Sequence, residues 1–447
     1  MSSPSAIEAA KIGIHIPKIL LPNSDTNLTK WSVIACDQYT SQPNYWDEVE
    51  VLVSENPSCL RLVAPEVLGR TIDRPLRNRK IWTSMKDYLA TVLEEKTEGF
   101  VLIERTLPNG KIRKGLLIAL DLEHYDYEGA KTMIRTTEGT IVDRLPERVT
   151  IRREAAIELP HIMVLIDDPK KTVIDPLFQK DLRKLYDFKL MQAAGKIRGF
   201  AVEGEDIDHV IRAFKGLIKP DHFSEKYGLE GEKPFLFAMG DGNHSFAAAK
   251  VVWEEVKAAA PNWESVKDHP SRYGLAEIVN LHDESLEFEG IHRLLLGIDV
   301  SDFLTYMENS LRGIAYTFEH MEVQELEKLL KSLKGEEPQR LPIVSSIQTG
   351  LLTLTEPTHT GTAASLHSFL DAYLDEHPSI EMDYVHDSKL VLDRGQLEGN
   401  LGIFIPALRK DEFFGTIIQD GPYPRKTFSM GEADDKRFYL EARKIRR

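Results

Sequence analysis

The stretch FLFAMGDGNHSFAAAKVVWEEVKAAAP, residues 235–261, holds the decisive local pattern of the chain. Phe235 to Met239 is an unbroken apolar run and reads as a buried strand. Phe246, Ala249, Trp253 and Val256 then recur at helical spacing until Pro261 stops the pattern, so the stretch predicts a strand, a tight polar turn and a helix. The first N–H groups of a helix have no carbonyl to bond within it and carry the positive end of its dipole. A phosphate or carboxylate is therefore favoured at the turn Gly240-Asp241-Gly242-Asn243-His244-Ser245, where Gly240 and Gly242 leave room for close approach. Asp-Gly-Asn is also what any strand-to-helix turn selects for positive φ and side-chain capping. The functional reading gains weight from His244 beside Asp241, because an imidazole and a carboxylate supply electrostatic and general-base functions that folding does not need.

Outward from this turn, elements alternate. Phe100 to Ile103 and Ile112 to Leu122 predict a hairpin, with Asn109-Gly110 in its connection. Strands are expected at 161–166, 197–202, 273–280, 341–347, 351–354 and 402–405, and helices at 181–194, 207–218, 323–333, 363–374 and 410–418. Such layering argues for an α/β fold of mixed α+β character, with mixed sheets. With 447 residues, two or three domains are expected. The polar, Pro- and Gly-containing stretch 219–233 suggests a boundary between an N-terminal half, 1–220, and a C-terminal half, 221–447, that carries the turn.

Composition narrows the function. A hydrophobic share of 42% and a charged share of 28% are those of an ordinary globular chain, with no low-complexity tract or internal repeat. Lys plus Arg total 56 against 71 Asp plus Glu, and the formal net charge of -15 repels a phosphate backbone. This argues against a broad nucleic-acid surface but not against a small nucleotide pocket. No apolar run approaches the ~18 residues needed to span a bilayer, and the Met-Ser-Ser-Pro-Ser start has no signal-peptide pattern. A cytoplasmic location without membrane attachment is expected, with a homo-oligomer left open. Cys36 and Cys59 lack metal or redox spacing, and Cys36 reads as a small core residue.

Other constellations could complete a site. Arg135, Thr136, Thr137, Glu138, Thr140, Asp143 and Arg144 gather hydroxyls and charges within ten positions, suited to a phosphate and its metal, or to a solvated strand and turn. His292-Arg293 could bring an imidazole and a guanidinium to an anion, though Ile291 and Leu294 mark the segment as packed. Arg425-Lys426-Thr427 places two cations in a Pro-constrained loop, a pattern that also serves as a plain surface cluster. Asp37 to Ser41 would gather at the carboxyl end of a strand. His282-Asp283-Glu284 argues against structural zinc, since adjacent residues cannot all face one ion. Magnesium carried in by a nucleotide suits the oxygen-rich segments better.

Asp241-Gly242-Asn243-His244 resembles the Asp-Gly-x-His-Arg turn of the free-serine kinases, which share a fold with the ParB partition proteins and sulfiredoxin. Over most of its length the chain is identified as a member of the bacterial domain-of-unknown-function family numbered ten-fifteen. The segments that carry this are WSVIACDQYTS (31–41), RTTEGTI (135–141), ELPHI (158–162), FEGIHR (288–293) and PRKTFS (424–429). The superfamily resemblance implies a turn that cradles nucleotide phosphates. It implies a phosphotransferase acting between a nucleotide (ATP or ADP, with Mg2+) and a small hydroxylated metabolite, with free serine or phosphoserine as substrate and a place in serine metabolism. Asp241 would be base or metal ligand and His244 would steady developing charge. The backbone from Gly242 to Ser245 would hold phosphate, with Arg135, Arg293 or Arg425 as the cation. Glu138 or Asp37 would stand for the kinases' N-terminal Glu. Two positions depart from the pattern. Ser245 replaces the kinases' Arg, and Asn243 stands where sulfiredoxin has its reactive Cys, which removes sulfinic acid reduction. A phosphomonoester hydrolase of phosphoserine-phosphatase type and a non-catalytic nucleotide-binding regulator are the alternatives on the same pocket.

Overall fold

The computed structural model describes residues 4–68, 73–139, 145–333 and 338–446. Two compact units form. The first comprises Met1–Thr136, Thr140–Leu286 and Glu432–Arg447, and the second Thr137–Gly139 and Glu287–Gly431. Residues 219–233 lie inside the first unit and do not separate halves 1–220 and 221–447. The Pro and Gly that suggest a linker there are a helix start and a helix stop: Pro220–Tyr227 is helical, with Gly228 left-handed after it and Phe223 buried.

The first unit is built on a ten-stranded mixed sheet. In chain order its strands are β1 (Ile14–His15), β2 (Phe100–Thr106), β3 (Ile112–Asp121), β4 (Tyr125–Asp126), β5 (Ile134–Thr136), β6 (Met163–Ile166), β7 (Lys184–Lys189), β8 (Lys196–Val202), β9 (Phe237–Asp241) and β10 (Tyr273–Asn280). Their spatial order is β7-β8-β2-β3-β10-β6-β9-β5-β4, with β1 on β3. The pairs β6/β10, β9/β5 and β4/β5 are parallel and the others antiparallel. Successive residues of β2 and β3 enter different cores: Val101, Ile103, Leu117 and Ala119 join one, and Phe100, Leu102, Leu116 and Ile118 the other. A sheet buried on both faces has no need of a polar side, which is why these strands read as continuous apolar runs.

The helix expected at 181–194 is instead the strand β7, paired antiparallel with β8. Gln192, Ala193 and Gly195 turn the chain with φ of 51, 55 and 93, and Leu190 N–H bonds Gly195 O at 2.9 Å. Only Tyr186 is buried along this edge strand. Pairing with β8 satisfies its backbone on one side.

The second unit carries a six-stranded antiparallel sheet of β11 (His292–Leu296), β12 (Tyr316–His320), β13 (Gln339–Ser345), β14 (Thr349–Leu354), β15 (Glu381–Val385) and β16 (Asn400–Ile403). Its order is β12-β14-β13-β16-β11-β15. The helices Thr362–Glu376 and Lys410–Gln419 match their predicted positions, and Leu366, Phe369 and Leu370 pack on Leu341, Leu352 and Ile403. Burial of each such side chain contributes about 1.5–3 kcal/mol.

Candidate functional site at the strand-turn-helix

β9 ends at Asp241, beside Met163 of β6, and the helix Asn243–Ala259 begins two residues later. Gly242 makes the corner with φ +80, and a Cβ there would lie 2.9 Å from Ile162 Cγ1 and 3.1 Å from Ile162 Cα. Both the backbone conformation and the close approach require glycine. The approach that Gly242 permits is to the protein's own Ile162. Phe246 to Ala249 and Trp253 anchor the helix in the core, so the turn is held between a fixed strand end and a fixed helix start.

Asp241 Oδ1 accepts the Gly242 N–H at 2.8 Å, and Lys436 Nζ lies 3.7 Å from Asp241 Oδ2. Ser245 N–H bonds Gly242 O at 3.0 Å. The turn's own groups therefore engage the amides of Gly242 and Ser245, which narrows the expectation that the backbone from Gly242 to Ser245 holds phosphate. Asn243 Oδ1 is buried and has no hydrogen-bond partner among the described residues. Ser245 Oγ lies 3.1 Å from His161 Nε2, and His161 Nδ1 lies 3.1 Å from the Tyr439 hydroxyl. That hydroxyl donates to Cys36 Sγ at 3.1 Å and accepts the Cys36 N–H at 3.4 Å. Burial pushes the Cys36 thiol up to about 12 and raises Tyr439 well above its ordinary value, so both groups are neutral near pH 7. Lys436, His161 and Tyr439 carry no expectation from sequence. Only His161 lies in a segment singled out at all, and nothing in its spacing links it to Ser245, 84 residues away.

Arg135 does not serve as a phosphate grip. Its Nε and Nη2 donate to the carbonyls of Thr132 and Lys233 at 3.0 and 3.1 Å, and its guanidinium sits over the Phe235 ring. A buried guanidinium needs acceptors, and here it ties the start of β5 to the approach of β9. Asp37 accepts from Gln38 Nε2 at 3.0 Å in a turn where Tyr39 is left-handed and stacked on Tyr45. Thr140, Asp143 and Arg144 lie outside the described residues.

Thr137, Glu138, His292, Arg293, Arg425 and Lys426 belong to the second unit. Thr137 is buried, its carbonyl accepts the Tyr423 N–H at 2.8 Å, and Glu138 bridges to Tyr423. Burial raises the Glu138 carboxyl, opposed by the amides of Lys426 and Thr427 and by the charges of Lys426 and Arg293. The loop that carries two exposed cations thus turns its amides to an internal carboxylate. Arg293 is 0% exposed and donates to His367 Nε2 at 3.0 Å and to the carbonyls of Ile291, Lys426 and Arg425 at 2.6, 2.9 and 3.3 Å. Its guanidinium shapes this loop and is not available to an incoming anion. Arg425 and Lys426 remain on the surface, with Lys426 at φ 56.

His292 is likewise a structural group. Its Nδ1 accepts the Ile405 N–H at 3.2 Å, and its Nε2 meets Ser388 Oγ at 2.7 Å, an arrangement that only the neutral ring satisfies. Burial, then the Arg293 charge, lowers its pKa from 6.5 to about 4. A base with a depressed folded pKa contributes stability that is complete above the unfolded value and is lost as pH falls through the folded one. The second unit is expected to lose about 3 kcal/mol between pH ~6.5 and 4 from this group. Urea unfolding of His292→Gln across that window should show a flatter acid arm than the parent. An unchanged arm would remove His292 as the cause.

Elsewhere, His282 Nε2 pairs with Asp167 Oδ1 at 2.7 Å, Asp283 accepts the Ser285 hydroxyl, and Glu284 lies 3.5 Å from Lys171. Among the described residues, no three His, Cys, Asp or Glu side chains are grouped to hold a metal ion, and no helix is long and apolar enough to cross a membrane. A cleft in the second unit is lined by Gln339, Thr360, Gly361, Arg409, Glu412 and Tyr423 among others, and none of the turn residues 240–245 lines it.

Fold and site define a mixed α/β protein whose main sheet delivers an Asp-Gly-Asn-His-Ser turn to the start of a helix. The chain belongs to the family described as "Protein of unknown function (DUF1015)", whose model matches residues 18–373. Solved structures similar to it include a conserved hypothetical protein from Pyrococcus furiosus, at 11% identity over 74% of this chain and 95% of that one, with a TM-score of 0.34. A free serine kinase in complex with ADP is 10% identical over 76% and 95% of the two chains, with a TM-score of 0.36. SbnI from Staphylococcus aureus is 7% identical over 70% and 82%, with a TM-score of 0.33. No residue role is carried over from these likenesses. No curated protein sequence matches the chain.

Proposed function

We propose that the protein is a phosphotransferase that moves a phosphoryl group between a nucleotide and a small hydroxylated metabolite, with serine as the candidate acceptor. The observation that carries this reading is Asp241, set at a helix start with one carboxylate oxygen engaged by its own turn and the other facing Lys436 at 3.7 Å. Oδ1 orients the carboxylate, and Oδ2 would take the acceptor's hydroxyl proton. Lys436 supplies, near the turn, the positive charge that Ser245 cannot. The helix dipole adds favourable potential for a developing anion. Asn243 Oδ1, buried and without a partner among the described residues, would accept from an ammonium or hydroxyl of the substrate. His244 and Ser245 would complete the lining.

The donor set suits a hard cation held mainly by its nucleotide. Asp241 offers one carboxylate oxygen, and phosphates and waters would supply the rest, so magnesium would neutralise charge on the transferring group. In this reading Asp241 and Lys436 orient and deprotonate, and transfer rests on positioning and charge stabilisation.

Incubation of the full chain with ATP or ADP, Mg2+ and a panel of amino acids, followed by 31P NMR, should show a new phosphomonoester with serine. Phosphate released from phosphoserine without nucleotide would overturn the assignment in favour of a hydrolase. Tight nucleotide binding with no product over hours would do so in favour of a binding protein.

A further inference from the structure

A hydrogen-bond chain runs from Ser245 through His161 and Tyr439 to Cys36. The Tyr439 hydroxyl has one proton, donated to Cys36 Sγ, and its oxygen already accepts the Cys36 N–H. With the phenol proton directed to Cys36, the contact to His161 Nδ1 at 3.1 Å corresponds to the tautomer whose proton is on Nδ1. A neutral imidazole with its proton on Nδ1 presents a bare Nε2, and that atom faces Ser245 Oγ at 3.1 Å. In that tautomer the serine hydroxyl is the donor and Nε2 the acceptor. Nucleophile, base and orienting group stand in the order that activates a hydroxyl for attack. Tyr439 is only 3% exposed, so water competes little for the orienting contact. Its phenol is neutral, so it holds the ring in place without the full charge stabilisation a carboxylate would give. Ser245 is half-buried and is the third residue of the helix that opens at the turn.

We propose that Ser245 is a covalent phosphoryl acceptor and that His161 is its general base. This rests on the reading of the turn as a phosphoryl-transfer site and changes its route from one displacement to two. In the first step the Ser245 Oγ–P bond forms and the bond from phosphorus to the bridging oxygen of the donor breaks. The nucleoside diphosphate leaves with the electron pair, and the hydroxyl proton passes to His161 Nε2. In the second step the acceptor hydroxyl attacks phosphorus and gives its proton to Asp241, and Ser245 Oγ departs and recovers its proton from His161. Tyr439 acts through His161 and is a positioning residue.

Two measurements on the full chain test the proposal. With ATP and Mg2+, acid quenching and peptide mass mapping should locate one phosphoryl group on Ser245, and a chiral phosphoryl donor should be transferred with retention of configuration. A fluorophosphonate probe, which needs no nucleotide, should label Ser245 as its Oγ bonds phosphorus and fluoride leaves. Labelling should vanish in Ser245→Ala and slow about 10²-fold in His161→Gln, whose side chain retains hydrogen-bonding capacity. Circular dichroism of both variants controls for folding. Phosphoryl transfer to serine that proceeds with inversion, and at full rate in Ser245→Ala, would overturn the covalent step and leave the phosphotransferase reading intact. His161-dependent probe labelling without any nucleotide turnover would support the activated serine and overturn that reading instead. No labelling by either reagent would overturn the proposal outright.

Discussion

Asp241→Asn is expected to lower phosphoryl transfer by ~10²–10⁴-fold while leaving the thermal transition close to that of the parent. The asparagine oxygen can still accept the Gly242 N–H now bonded at 2.8 Å, so the left-handed corner and the helix start persist. What disappears is the negative charge facing Lys436 and the atom able to take a proton. The side-chain relative exposure of the pair is 26% and 15%, a partly solvated ion pair whose loss alone costs roughly 0–1 kcal/mol. The large effect therefore belongs to chemistry and the small one to stability. Steady-state rates and calorimetry on both proteins separate them, and full activity in the variant would reject Asp241 as base.

Arg437→Met is expected to have the largest effect on stability, a loss of roughly 3–5 kcal/mol from the first unit. Arg437 is 2% exposed, pairs with Glu277 through Nη1 and with Glu441 through Nη2 at 2.6 Å, and donates from Nε to Pro160 O at 3.1 Å. Glu277 and Glu441 are themselves 2% and 0% exposed. Methionine fills much of the volume but leaves two buried carboxylates with reduced compensation. Arg113 is 3.9 Å from Glu277, and Glu441 retains the Tyr186 hydroxyl at 2.5 Å. Because Pro160 precedes His161, the same change is expected to loosen the imidazole that faces Ser245. Urea unfolding measures the first effect, and a loss below about 1 kcal/mol would show that the remaining partners suffice. Adding Glu277→Gln and Glu441→Gln to Arg437→Met should restore part of the loss, since neutral amides cost less to bury than unpaired charges.

The strand, turn and helix over 235–259 were legible because every signal is local. A short apolar run, a glycine where φ must be positive and a 3.6-residue repeat need no partner to be read. The hairpin of β2 and β3 and most of the later strands follow for the same reason. Lys184–Lys189 resisted because its charged ends and modest hydrophobicity fit an exposed helix face as readily as an edge strand, and its pairing with β8 decides between them. Residue type alone left Arg135 and Arg293 open as cations for a ligand. Burial assigns both to backbone carbonyls, because a desolvated guanidinium must find acceptors wherever the chain brings them.

From its sequence alone the chain determined its mixed α/β class, its family and the identity of the turn, since these depend on neighbours within a few residues and on segments that can be matched in order. The tertiary structure alone decided that Lys436 faces Asp241 and that His161 stands between Ser245 and Tyr439. His161 is separated from those two by 84 and 278 residues, and no pattern along the chain encodes such distances. They are set when the sheet packs on both its faces, because a close-packed interior fixes the relative positions of segments that have no local reason to meet.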